Sequence, residues 1–138
     1  MRILIDTNIL FSAVLSSSGI PRKAFNKAVS LPNTGIVSFQ SLEELITSFS
    51  NKLPTKKHLL ESFLVAMLTS IELVTVPKDK LDNEDSIRDI DDRTIYRAAV
   101  KAKADIILTG DNDLLESGIT SPQIMTAREF LNLNDCEN

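Results

Sequence analysis

Five short apolar-rich runs, separated by stretches long enough to hold helices, constrain the fold of this chain more than any other feature. Arg2–Ile5 is ended at once by Asp6 and reads as a buried strand. Residues 34–39 form a second run after the Pro32-Asn33 break. Residues 72–76 alternate until Pro77 stops them, and residues 105–109 and 122–126 supply the last two. Helical periodicity fills the gaps. Pro21, after Ser16–Gly19, suits the first turn of a helix running to about Ser30. Leu42, Leu45, Ile46, Phe49 and Leu53 share one helical face, and Leu59, Leu60, Phe63, Met67, Leu68 and Ile71 share another. Ile95, Ala98, Ala99 and Ala102 line a helix over about 92–103, and a closing helix starts near Ala127. Strands alternating with helices predict an α/β domain, residues 1–138, with a largely parallel sheet of about five strands.

Length and composition agree with one globular domain. The chain has 138 residues, 43% of them apolar and 25% charged, and no run approaches the length of a bilayer span. The first residues begin like a signal peptide, but Asp6 and Asn8 interrupt the apolar run. The single cysteine, Cys136, permits neither a disulfide framework nor a cysteine-based metal site, and a reducing cytoplasm is the simplest location. The net charge of −4 is unevenly spread, because seven acids fall between Asp79 and Asp92 against Lys80 and Arg88 alone. Such a balance argues against a protein that holds nucleic acid by bulk charge, though a bound metal and a local basic rim could still reach it. The acidic stretch reads as a solvated loop that delivers Asp92.

Acids stand where an open parallel sheet places its chemistry, beyond the carboxyl ends of the strands. Asp6 follows the first strand directly, and Asp111 and Asp113 follow the 105–109 strand. Asp92 opens the helix feeding that strand, and Glu44 lies in the first turn after the second strand. Four or five converging carboxylates repel one another unless protons, a basic partner or a hard divalent cation neutralise them. No lysine or arginine occupies a matching strand end, which favours the cation. Each acid also has a plainer reading. Asp6 could cap a turn, and Glu44 could close a capping box with Ser41 on a solvated helix face. Asp91 or Asp92 could be an N-cap or first-turn charge, and Gly110–Asp113 could be a simple turn. Taken together, the plainer readings leave the repeated placement of acids at one sheet edge unexplained.

The motifs Ile5-Asp6-Thr7-Asn8-Ile9-Leu10, Ser38 with Glu44-Leu45, Arg88-Asp89-Ile90-Asp91-Asp92 followed by Ile95 and Ala98-Ala99, and Ala104 through Leu115 occur in this order. Gly118-Ile119 and Met125 through Leu131 close the series. The set resembles the PIN-domain nucleases and, within them, the VapC-like toxin components, across the whole chain. The resemblance implies a three-layer α/β/α sandwich and makes Asp6, Glu44, Asp92 and Asp111 the metal-binding catalytic acids. Asp113 is implied as an accessory ligand, with Asn8 and Thr109 orienting carboxylates by hydrogen bonds. Glu44 is preferred to Glu43, and Asp92 to Asp91, only by the register of the family pattern. It further implies a Mg²⁺- or Mn²⁺-dependent endoribonuclease acting on single-stranded or structured RNA. The partners it implies are a small cognate antitoxin and a second copy of the chain in a homodimer, with no membrane.

Two other classes compete. A catalytically silent PIN-like module would use the same pocket to bind RNA or protein, but the acid set is complete. A haloacid-dehalogenase-like phosphatase needs an Asp where this chain has Asn8, and a receiver domain needs a paired-acid motif and a late lysine that are missing. Seven aromatics and no tryptophan leave little for base stacking. Arg22, Lys23 and Lys27, and the group Lys52, Lys56, Lys57 and His58, could form a phosphate-holding rim, or equally be solvated surface.

Overall fold

The structure is a computed structural model that describes residues 1–133; Cys136 lies outside the described residues. Strands β1 (Arg2–Ile5), β2 (Thr34–Ser38), β3 (Ile71–Val74), β4 (Ile106–Leu108) and β5 (Gln123–Met125) form one sheet in the order β3-β2-β1-β4-β5, with every pairing parallel. Helices α1 (Thr7–Leu15), α2 (Ile20–Val29), α3 (Phe39–Lys52), α4 (Lys57–Leu68), α5 (Ile90–Lys101), α6 (Asn112–Leu115) and α7 (Ala127–Leu131) connect or follow them.

The pleat divides the strands between two apolar layers. Ile3, Ile5, Val37, Ile106 and Leu108 face α1, α2, α3, α4 and α7. Leu4, Ile36 and Ile107 face α5 and α6. The result is an α/β/α sandwich: the parallel α/β architecture predicted by the pattern of runs, in the three layers that the resemblance implies. Both sheet faces are covered, which explains why the central strands read as continuous apolar runs rather than as alternating ones.

Several elements differ from the periodicity reading, each for a local reason. The stretch after Asp6 is helix α1, nucleated by the Asp6 side chain accepting from the Thr7 N–H at 2.7 Å. Ile71 belongs to β3 rather than to the preceding helical face, and β3 ends at Val74, two residues before the apolar alternation does. The residues after Gly110 form the short helix α6, which Asp111 caps by accepting from the Asp113 N–H. Glu44 does not close a capping box with Ser41. Ser38 is the N-cap of α3, so Glu44 falls in the second turn. A full capping box is instead present at Thr126 and Glu129.

The acidic stretch before α5 is not simply solvated. Glu84 is fully buried and takes both arms of the Arg97 guanidinium, at 2.7 and 2.6 Å. This pairing holds the Glu84 carboxyl below the usual carboxylate range. Ile87 is buried beside Ile95 and Tyr96, Arg93 donates to the Ile87 carbonyl, and the Tyr96 hydroxyl donates to Asn83. The segment is therefore tied to α5 at several points, and Asp89 caps that helix.

Close packing of α2 on the sheet depends on Gly35. A Cβ there would lie 2.7 Å from Val29 Cγ1, with the Ala28 carbonyl and Ile5 behind it. A β-branched neighbour has little rotamer freedom to give way. Gly35→Ala is expected to cost ~1–3 kcal/mol in urea unfolding, by overpacking; an unchanged midpoint would show that α2 can shift off the sheet freely.

Candidate active site

The order of the strands places a topological switch between β1 and β4, where connections leave in opposite directions. Asp6 leaves β1 at this crevice. The β1–β4 register sets Ile5 against Leu108, so Thr109, Gly110 and Asp111 emerge beside it. A small hydrogen-bond network joins the two strand ends. The Thr109 hydroxyl donates to Asp6 Oδ2 at 2.7 Å and accepts from the Asp111 N–H at 3.0 Å. Asn8 Nδ2 donates to Asp6 Oδ2 at 3.1 Å, while Asn8 Oδ1 accepts from the Gly110 N–H at 2.9 Å. Asp6 is thus buried, fully engaged, and the cap of α1 at the same time.

A cavity of about 380 Å³ opens above this network. Asp6, Glu44, Asp92 and Asp111 all line it, whereas Glu43 and Asp91 do not. Glu44 is held from two sides: the Thr7 hydroxyl donates to its Oε2 at 3.0 Å, and Gln40 Nε2 to its Oε1 at 3.2 Å. Gln40 also donates to Thr94 on α5, linking the two helices that carry Glu44 and Asp92. Asp92 Oδ2 is buried and has no hydrogen-bond partner among the described residues.

The electrostatics follow from this convergence. Burial is the main cause raising the Asp6 carboxyl above its ordinary range. Thr109 and the Thr7 N–H oppose the rise, and the charges of Asp111 and Glu44 add to it. Asp92 is pushed up to about 8, first by burial, then by the adjoining Asp111 carboxylate, which favours a proton on Asp92, and by the charges of Asp6 and Asp89. Like charges this close cannot all ionise without help, and an orphaned carboxylate oxygen among hard oxygen donors suits a small divalent cation.

Asp113, expected as an accessory ligand, does not line the cavity. It lies on the other side of Asp92, where the carboxylate oxygens of Asp89, Asp92 and Asp113 come within 4.8 Å of one another. Arg88 reaches this side and pairs with Asp113 at 2.9 Å, so a basic side chain does stand at the sheet edge. Arg88 and Asp89 gain these roles only through the packing of the segment before α5. Thr7 and Gln40 also escaped the pattern reading. Gln40 sits four residues before Glu44, a spacing that marks one helix face and could have singled it out.

The rims read from charge clusters resolve differently. Arg22 donates to the Ala13 carbonyl and lies over Phe63, and Lys27 lies over Phe130 and donates to its carbonyl. Lys52 lines the acidic cavity.

The PIN-domain family model matches residues 2–113, which include Asp6, Glu44, Asp92, Asp111 and Asp113. The chain belongs to the PIN-domain family. PIN domains are nuclease domains. An uncharacterized protein of Methanocaldococcus jannaschii is 32% identical over 117 residues, covering 83% of this chain and 74% of that protein. Among solved structures, VapBC2 from Rickettsia felis, bound to a DNA fragment from its promoter, aligns with a TM-score of 0.66 at 17% identity. That alignment covers 91% of this chain and 98% of the other. Mycobacterium tuberculosis VapC20, a sarcin–ricin loop cleaving toxin, aligns with a TM-score of 0.60 at 14% identity, covering 85% and 95% of the two chains. At these identities the likeness is one of PIN fold.

The raised Asp92 carboxyl gives this PIN domain a pH signature. The folded state keeps that proton up to about pH 8, whereas the unfolded chain releases it at ~3.9. The contribution of Asp92 to stability is therefore full below the unfolded value and is lost as pH rises toward about 8. In EDTA, Tm is expected to fall across this window and the fall to flatten in Asp92→Asn. An identical Tm–pH slope in the two proteins would contradict the assignment.

Proposed function

We propose that this PIN domain is a metal-dependent endoribonuclease and the toxin of a type II toxin–antitoxin pair. The observation that carries the reading is the buried, unpartnered Asp92 Oδ2 among the carboxylates of Asp6, Glu44 and Asp111. Asp6, Asp92 and Asp111 would hold Mg²⁺ or Mn²⁺ and Glu44 would be a ligand or a water-positioning base, with Asp113 as an accessory beyond Asp92. Such an ion, when bound, supplies a water of lowered pKa and offsets charge on the phosphoryl oxygens.

The chain's own residues provide the positioning. Thr109, Asn8 and the Thr7 N–H keep Asp6 fixed and its lone pairs directed. Thr7 and Gln40 hold Glu44 at the cavity wall, where its carboxylate can take a proton from an attacking water. Water oxygen then forms the new P–O bond, and a ribose oxygen leaves with the electrons of the broken one.

RNA as substrate is supported by the fold shared with a toxin that cleaves the sarcin–ricin loop, and an antitoxin partner by the VapBC2 assembly. A homodimer acting in the cytoplasm completes the proposal. No described helix is long and apolar enough to cross a membrane.

Thermal unfolding with Mn²⁺ titration, followed by RNA cleavage, tests this reading. Wild type is expected to gain stability by mass action, about 2.7 kcal/mol when the free ion is 100-fold above Kd. Asp6→Asn and Asp92→Asn lose both that gain and cleavage. Thr109→Val should weaken metal affinity or activity roughly 10–100-fold while the protein still folds. Full-rate, metal-dependent cleavage by Asp6→Asn would refute the site, and EDTA-insensitive RNA binding without cleavage would leave a silent binding module.

A further inference from the structure

The cavity is acidic at only one end. Away from Asp92 and Asp111 its walls are α1, through Phe11 and Ser12, and α3, through Ser48 and Lys52. Glu44, Ser48 and Lys52 follow one another at intervals of four, so they run along one face of α3. Eight residues of helix place the Lys52 backbone ~12 Å from that of Glu44 along the axis.

We infer that this far half of the cavity is a subsite for the RNA strand beside the scissile phosphate, with Lys52 as its phosphate-binding residue. The inference rests on the nuclease reading above. Among the residues lining the cavity Lys52 is the one cation, and no carboxylate of the described residues lies within ion-pair distance of its ammonium. That ammonium sits 6.0 Å from the centre of the Phe11 ring. Of the other cations named above, Arg22 donates to the Ala13 carbonyl, Lys27 to the Phe130 carbonyl, and Arg88 pairs with Asp113.

Charge explains why a cation belongs here. A metal held by the acids would offset charge on the phosphate undergoing attack but not on the next one along the strand. In a chain of net charge −4, that next phosphate enters an unfavourable field unless a fixed cation meets it. A lysine acts as a point charge and suits a non-bridging phosphate oxygen in varied poses. Phe11, backed by Phe49 with ring centres 4.7 Å apart, gives the subsite a rigid apolar wall against which a base can rest. Among the described residues the Ser12 and Ser48 hydroxyls have no hydrogen-bond partner, and both face the cavity that would take sugar or phosphate oxygens. A site built for a metal alone needs none of these groups.

The test is salt-dependent binding of a fluorescein-labelled, mixed-sequence single-stranded RNA, with Ca²⁺ replacing Mg²⁺, to wild type, Lys52→Ala and Lys52→Arg. Lys52 is exposed near the end of α3, so both variants are expected to keep the wild-type Tm. The Mn²⁺-induced Tm shift should also be retained. Loss of one phosphate contact reduces the slope of log K against log salt by about 0.7 in Lys52→Ala, and Lys52→Arg restores it. An unchanged slope in Lys52→Ala, with wild type binding RNA normally, overturns the subsite and leaves the nuclease reading standing. Loss of the Mn²⁺ shift in Lys52→Ala also overturns it, because Lys52 would then act through the acids. Wild type that binds no RNA, even at low salt, overturns the nuclease reading and the subsite together.

Discussion

Mutual repulsion among carboxylates gathered at one sheet edge is the constraint on which the site depends. Asp6 is the buried member of the group, set at the end of the central strand with Asp111 and Glu44 close by. Three donors hold it: the Thr7 N–H, Asn8 and the Thr109 hydroxyl. Each comes from the chain immediately after β1 or β4, so the parallel register that aligns Ile5 with Leu108 also assembles the cradle. Fold and site are one arrangement here. A slip in that pairing would separate the Asp6 carboxylate from Thr109 and remove its support.

Asp92 is left without equivalent support. It has a buried oxygen with no partner and lies between two sets of acids, Asp6 and Asp111 on the cavity side and Asp89 and Asp113 on the other. Such a placement stores electrostatic strain that a proton or a cation can relieve. The rest of the structure works to keep Asp92 there. Glu84 and Arg97 pin the preceding segment, Asp89 caps α5, and Gln40 bridges to Thr94 from α3. The many acids between Asp79 and Asp92 are therefore of different kinds: Glu84 is a buried anchor, Asp89 a cap, Asp92 a member of the site. Composition treats them alike, and burial separates them.

Asymmetry within the cavity has a similar origin. Acids gather at the strand ends because the sheet directs them there. The opposite wall is made by the flanks of α1 and α3, whose exposed faces carry hydroxyls, one ring and one lysine. A polyanion approaching the acids must cross this wall. The net charge of the whole chain hides the local balance, because Arg88 at the acidic end is already paired with Asp113 while Lys52 lines the opposite wall.

Much of this was legible in the amino-acid order. The apolar runs predicted five strands, their separations predicted parallel pairing, and the acids after Ile5 and Leu108 stood out because a strand end has nowhere else to project them. Periodicity failed where a capping side chain overrode it. Asp6 and Asp111 each start a helix that the hydrophobic pattern did not announce, and Ser38 rather than Ser41 begins α3. Other features had no local signal at all. Glu43 and Glu44, or Asp91 and Asp92, differ only in which way a helix turn points them, and that direction is set by packing against the sheet. The burial of Glu84 on Arg97, the tie between Arg88 and Asp113, and the isolation of Lys52 in the acidic cavity join residues distant in the chain. The sequence alone determined which chemical groups stand at the edge of the sheet. Tertiary structure decided which of them meet, because long-range contacts and exclusion of water are properties of the packed chain and not of any segment.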